Sequence, residues 1–225
     1  IRTTCHSHLL IDHVPTEDAD CVRRLSAAGA VLLGKLATHE FAFGGPSFDL
    51  PFPLPRNPWN TEHFAGGSSS GSGVAVAAGL CMAALGTDTG GSIRLPAAYC
   101  GIAGLKATYG RVSRRGVAPL AFSLDHIGPM TWTARDAGLM LQALAGHDAA
   151  DPASADRPVG DYTAQLTGDI RGLRIGLVRH FHQQDEQGSP ALVAAFDQAA
   201  AIFRSLGATV SDVRLSSLQD YPACC

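Results

Sequence analysis

Apolar residues follow two rhythms along the chain, recurrence at every third or fourth position and short unbroken runs, and the alternation between them sets the predicted elements. Residues 16–28, TEDADCVRRLSAA, combine a capping Thr16, early acids, late arginines and amphipathic spacing, which predicts a helix stopped by Gly29. A short strand should follow over 30–33. Residues 44–60 carry Pro46, Pro51, Pro53, Pro55, Pro58 and Trp59, so neither helix nor central strand fits and a surface loop is expected. By composition the Gly/Ser run 66–73 could pass for a flexible linker. The small apolar residues 74–80 after it argue instead for a buried helix entered directly from that run, with a core strand over 82–85. From Thr133, TARDAGLMLQALAG predicts a capped helix ending at Gly146, and 148–169 is a polar connection. Strand 173–178, helix 191–206 and strand 208–215 close the pattern, with Gly207 where a helix C-terminus favours it. Alternating strands and helices predict an α/β fold with a mixed, largely parallel sheet flanked by helices and no internal repeat. Sites in such folds are usually built at strand ends.

Composition narrows this picture. The chain has 225 residues, 46% hydrophobic and 16% charged, with net charge −3, which excludes disorder as the main state and predicts one compact domain. No Lys/Arg cluster offers an electrostatic footprint, so nucleic acid is not expected as a direct partner. No apolar run approaches the roughly 20 residues that span a bilayer, and no membrane partner is expected. The six cysteines (Cys5, Cys21, Cys81, Cys100, Cys224, Cys225) form no CxxC pair and several sit in apolar runs, reading as reduced core residues of a cytoplasmic protein. The sequence starts at Ile1 and stops at Cys225 without completing an element, so we read it as an internal fragment in which no targeting segment is legible.

The densest cluster of special residues is 86–94, GTDTGGSIR, straight after an apolar strand. Paired glycines allow successive N–H groups to face one concavity with a serine at its lip, the arrangement of an oxyanion hole beside a nucleophile. An isolated Gly-Gly-Ser is more often a tight turn. Here a second Gly/Ser loop lies upstream, and Ser68 to Ser92 is a separation that a helix plus a strand would bridge, returning both loops to one edge. A serine needs a base. The nine histidines are scattered and no Gly-x-Ser-x-Gly elbow surrounds Ser92, so a Ser-His-Asp triad has little support. A desolvated lysine could serve, and only Lys35 and Lys106 are available. Asp88-Thr89-Gly90 is also the tripeptide of an aspartic-protease dyad, but no second copy occurs and the helices contradict that fold. The 66–73 loop lacks the Gly-Lys-Ser/Thr ending of a phosphate loop. For metal, His6, His8 and His13, or His180 and His182, are candidates, while His39-Glu40 lacks a second zincin histidine because position 43 is Phe43; scattered surface histidines account for them better.

Over 66–130 the run GGSSSGSGVAVAAGLCMAALGTDTGGSIRLPAAYCGIAGLKATYGRVSRRGVAPLAFSLDHIGPM closely resembles the amidase signature family, with weaker resemblance in GAVLLGKLATHEFAFG and Asn57-Pro58-Trp59-Asn60. The resemblance makes 1–225 one amidase signature domain, truncated at both ends, with its signature core at 66–130. It implies amide hydrolysis by a Ser–cis-Ser–Lys triad without metal or organic cofactor. Ser92 matches the acylated nucleophile, and Ser68 the bridging serine whose preceding peptide is cis. Backbone N–H groups of Thr89, Gly90 and Gly91, with that of Ser92, would line the oxyanion hole.

The third member departs from the family pattern. Its lysine stretch belongs upstream of a segment that Arg2-Thr3-Thr4-Cys5-His6-Ser7 resembles, so it falls before Ile1, and the chain as given is expected to be inactive while its full-length parent is an amidase. Lys35 matches a different family lysine and receives no catalytic role. Lys106, in Gly-Leu-Lys with Ala107 where the family has Pro, supports the site rather than acting as base. Ser70 stands where the family more often has Gly, a strain if that position needs positive φ. Asp88 and Arg94 could form a supporting ion pair. The expected partner is a small-molecule amide; relatives are frequently homodimers, and the chain does not decide its assembly. The alternatives are the A subunit of a glutamyl-tRNA(Gln) or aspartyl-tRNA(Asn) amidotransferase, which releases ammonia from glutamine, and an inactive truncated relative.

Overall fold

The segment between the two serine loops folds as a helix and a strand laid side by side. Helix α2 (Ser70–Ala77) starts inside the Gly/Ser run and strand β1 (Ala83–Asp88) follows it. Their union is polar as well as apolar: Ser72 Oγ donates to the Leu85 carbonyl at 2.7 Å, and Ser69 Oγ accepts from the Thr87 amide at 3.1 Å. Small residues make this approach possible, and the same serines that suggest a linker by composition act as pegs into the strand. The computed structural model describes residues 1–164 and 166–221. Ile1–Gln165 and Leu166–Cys225 each form a compact unit.

In the first unit, helix α1 (Asp20–Ala27) precedes α2 and β1, and helix α3 (Arg94–Cys100), strand β2 (Ala103–Gly104), strand β3 (His126–Thr131) and helix α4 (Ala134–Leu144) follow them. Strand order is β1-β3-β2, with β3 antiparallel to both neighbours. α4 packs on β3 and α1 around Cys21, Val112, Ile127, Leu141 and Leu144, and a smaller cluster of Ile93, Ala97 and Met130 seats α3. Thr133 caps α4 by accepting from the Asp136 amide, as its sequence predicts.

The second unit holds strand β4 (Arg174–Leu177), a π-turn at Phe181–Asp185, helix α5 (Pro190–Ser205) and strand β5 (Thr209–Asp212). β4 and β5 pair in parallel across the helix between them, and Gly207 takes φ +90° after α5.

The α/β class agrees with the sequence expectation, whereas in place of one mixed sheet the described residues form two, one paired antiparallel throughout and one parallel. The predominance of parallel pairing does not hold. β1 and β2 run parallel, joined through α3, an element the sequence pattern did not predict, but β3 returns between them and pairs with both in the opposite sense. α1 begins at Asp20 behind Ala19, not at a Thr16 cap, because the Asp20 amide donates to the Arg115 carbonyl and its buried carboxylate is gripped by Arg23 and Arg24. The strand expected over 30–33 does not form among the described residues, where the segment is irregular and unpaired, and Val31 stands 81% exposed. Cys21 and Cys100 are buried and Cys5 and Cys81 half-buried, all four as free thiols; Cys224 and Cys225 lie outside the described residues. Burial pushes the Cys21 thiol up to about 11.

Candidate active site

Two loops meet at one end of the α2–β1 pair. The first, Ala65 to Ser70, is buried throughout, and its Gly67–Ser68 peptide is cis, as the family resemblance implies. The Ser68 carbonyl accepts two hydrogen bonds, from the His39 amide at 3.0 Å and Thr38 Oγ1 at 2.8 Å. The His39 ring lies so close over Gly67 that a Cβ there would come within 2.1 Å of it, so only glycine fits. His39 Nδ1 reaches the Gly44 carbonyl at 2.8 Å and therefore carries the hydrogen. Ser68 Oγ, Ser70 Oγ and His39 Nε2 are buried with no hydrogen-bond partner among the described residues. Ser70 is the first residue of α2 and has ordinary helical backbone, so serine in place of glycine brings no strain.

The second loop turns from β1 into α3 around Asp88, which is fully buried. Its carboxylate accepts from the amides of Gly91 at 2.8 Å and Ile93 at 3.2 Å, and from Arg94 Nε at 3.0 Å and Nη2 at 2.9 Å. The expected ion pair is therefore present, in bidentate form. Burial disfavours the charge on Asp88, but the Arg94 side chain and the amides of Ile93 and Arg94 outweigh it and hold the carboxyl below its usual range. With Gly91 at φ +135°, the turn presents Ser92 half-buried at its lip. Ser69 N donates to the Ser92 carbonyl at 3.3 Å, which ties the two loops together.

The four proposed oxyanion donors are not equivalent. The Gly91 N–H is spent on Asp88, whereas those of Thr89, Gly90 and Ser92 have no partner among the described residues. Gly91 thus belongs to the turn's scaffold, and the free donors are the other three.

A further layer sits behind the second loop. Thr89 Oγ1 donates to Asp125 Oδ1 at 2.5 Å, and Asp125 also accepts from the amides of Leu120 and Ala121. His126 Nδ1 faces the carbonyls of Leu124 at 2.6 Å and Asp88 at 3.1 Å, so it carries the hydrogen and leaves Nε2 to accept from Lys106 Nζ at 3.3 Å. Lys106 stands beside the site in a supporting position, and Lys35 is exposed. Thr38, His39, Asp125 and His126 lie inside the runs that resemble the family, but the sequence reading gave none of them a part in the site. Among the described residues no group of three or more His, Cys, Asp or Glu is placed to hold a metal ion.

With this geometry in place, similarity to known proteins assigns the family. The Amidase family description matches residues 1–223, and the chain belongs to the amidase signature family. It is 54% identical over 96% of its length to a protein from Roseiflexus sp. (strain RS-1) named as the A subunit of glutamyl-tRNA(Gln) amidotransferase, and spans 44% of that relative. The crystal structure of the Thermotoga maritima protein of that name superposes with TM-score 0.90 at 38% identity, covering 96% of this chain and 47% of the other. Native peptide amidase from Stenotrophomonas maltophilia gives 0.85 at 42% identity, covering 98% and 46%. The chain therefore spans a little under half the length of the relatives it matches.

Proposed function

We propose that the protein carrying this chain cleaves a carboxamide C–N bond through an acyl-enzyme on Ser92. The observation that carries the reading is the joining of the Ser68 and Ser92 loops through the 3.3 Å Ser69–Ser92 bond, in front of the unpaired amides of Thr89, Gly90 and Ser92. Ser92 Oγ attacks the carbonyl carbon while its proton passes to Ser68 Oγ and on to a base. The resulting oxyanion is held by the three free amides. Collapse breaks the C–N bond, Ser68 returns a proton to the departing nitrogen, and water then attacks the ester to release the acid and free Ser92. The base is the family lysine that the resemblance implies; we assign it to neither Lys35, which is exposed, nor Lys106, which is engaged with His126. A cytoplasmic setting is supported by the free thiols of Cys5, Cys21, Cys81 and Cys100.

The test is ammonia release from simple carboxamides by the full-length protein. Ser92→Ala and Ser68→Ala should each lower kcat by about a thousandfold or more with the fold intact. Turnover that survives Ser92→Ala refutes the reading.

A second reading shares the chemistry and differs in the acceptor. The 54% identity to the A subunit of an amidotransferase favours glutamine as the amide and a multi-subunit assembly in place of a homodimer. Ammonia release from glutamine that requires partner subunits and misacylated tRNA selects it; efficient hydrolysis of other amides by the protein alone selects a free-standing amidase.

A further inference from the structure

The hydrogen bonds behind the second loop converge on one peptide unit. The carbonyl of Asp88 and the N–H of Thr89 share a plane, and in this trans peptide they point in opposite directions. A group that holds the carbonyl from behind therefore turns the Thr89 N–H, a proposed oxyanion donor, toward the front. The peptide lies where the β1–β3 ladder stops, Asp88 and His126 being its last pair. Beyond that point come Gly90 and Gly91, which place few limits on backbone rotation.

Two consecutive residues brace it. Asp125 accepts from Thr89 Oγ1 at 2.5 Å, and the His126 ring gives its Nδ1–H to the Asp88 carbonyl at 3.1 Å while sharing it with the Leu124 carbonyl at 2.6 Å. The ring bond exists in one tautomer only, because an Nδ1 lone pair would repel both carbonyl oxygens. Lys106 selects that tautomer. Its Nζ donates to Nε2 at 3.3 Å, and an ammonium group has no lone pair with which to accept from an Nε2–H. Lys106 is itself tied to the Ala107 carbonyl at 3.3 Å, and the Tyr109 ring meets the imidazole edge-on with centroids 5.5 Å apart. With Nδ1 facing carbonyls and Nε2 facing Lys106, neither ring nitrogen is free to take a proton from a serine.

Resting on the serine amidase reading above, we propose that His126, held in its working tautomer by Lys106, is a positioning residue that aims the Thr89 amide through the Asp88 carbonyl. It acts without touching substrate. The bond matters most as charge develops on the carbonyl oxygen, because an amide turned out of line loses the oxyanion while ground-state binding changes little.

The experiment compares propionamide hydrolysis by the full-length protein with that of His126→Leu, His126→Asn and Lys106→Met. Leucine fills the space without a donor, whereas asparagine can place an N–H where Nδ1 stood. His126→Leu should lower kcat by about tenfold to a hundredfold with KM within about twofold of wild type, and His126→Asn should recover most of that loss. Lys106→Met should fall between wild type and His126→Leu. Equal losses in the Leu and Asn variants, or losses confined to KM, overturn the proposal. The tautomer is read independently of turnover by ¹⁵N NMR of the histidine rings, the His126 signals being those absent from His126→Asn. Hydrogen on Nδ1 in wild type, with the Nε2–H form gaining in Lys106→Met, supports the proposal; hydrogen on Nε2 in wild type refutes it, whether or not any amide is cleaved. Turnover that survives Ser92→Ala strikes instead the reading on which this rests, and the ring spectra then still show whether Lys106 sets the His126 tautomer.

Discussion

At the residue scale the site depends on side chains that aim backbone groups. The amide of Thr89 is a proposed oxyanion donor, and the Thr89 hydroxyl is anchored to Asp125 at 2.5 Å, which fixes the residue in the loop. Thr89→Val keeps the shape and removes the anchor. We expect kcat to fall about tenfold to a hundredfold with little change in KM, and Thr89→Ser to restore most of it; steady-state kinetics on both variants checks this. Asp88 acts similarly on Gly91 and Arg94. Its pKa lies below the ordinary carboxylate value of about 3.9, so its contribution is complete above about pH 4 and drains away as pH falls through the lower folded-state value. Asp88→Asn should therefore be less stable than wild type at pH 7 by about 3 kcal/mol, with the gap closing below pH 4. Denaturant melts across that range read the difference. A gap independent of pH would remove the carboxylate from this role.

At the scale of elements, the loops are placed by α2 lying hard against β1 and by the 38–39 segment lying over Gly67. Gly67→Ala would drive a methyl into the His39 ring, within 2.1 Å at the unrelaxed position. It should cost about 1–3 kcal/mol, and His39→Ala in the same chain should recover part of that loss, a coupling that a double-mutant cycle measures. Additive losses would mean the ring does not control the loop. Elements marked by their own local chemistry were legible in the sequence: α4 by its Thr133 cap, and α5 with β5 by Gly207 between them. Elements that depend on a distant partner were not. The apolar run 30–33 reads as a strand, yet a strand exists through pairing and none is available among the described residues. The alternation of strands and helices suggested parallel pairing, and nothing local announces that β3 comes back between β1 and β2 and pairs antiparallel with both.

At the scale of the molecule, the first unit carries both serine loops, and its core runs through α4. Leu144 is fully buried there. Leu144→Ala should destabilise by about 2–5 kcal/mol without altering substrate preference, checked by thermal unfolding alongside kinetics. The same scale explains why the candidate site was only partly readable. Ser68 and Ser92 stood out because glycine and serine crowd around them and because the 66–130 run matches a family pattern. Their supports are joined to them across 30 to 38 residues of sequence, as in Thr38 to Ser68, Thr89 to Asp125 and His126 to Asp88, and no local spacing encodes such contacts. Gly91 was misplaced for the opposite reason. Its position in the motif suggests a donor facing substrate, and only the fold reveals that its N–H is already given to Asp88.

Whether Ser92 supplies the oxygen of the acyl bond is read most directly by peptide mapping with mass spectrometry after treatment with a fluorophosphonate. In the full-length protein the adduct should sit on Ser92, disappear in Ser92→Ala, and form far more slowly in Ser68→Ala. An adduct on another residue, or a folded and amide-cleaving protein that leaves Ser92 unmodified, would contradict the account.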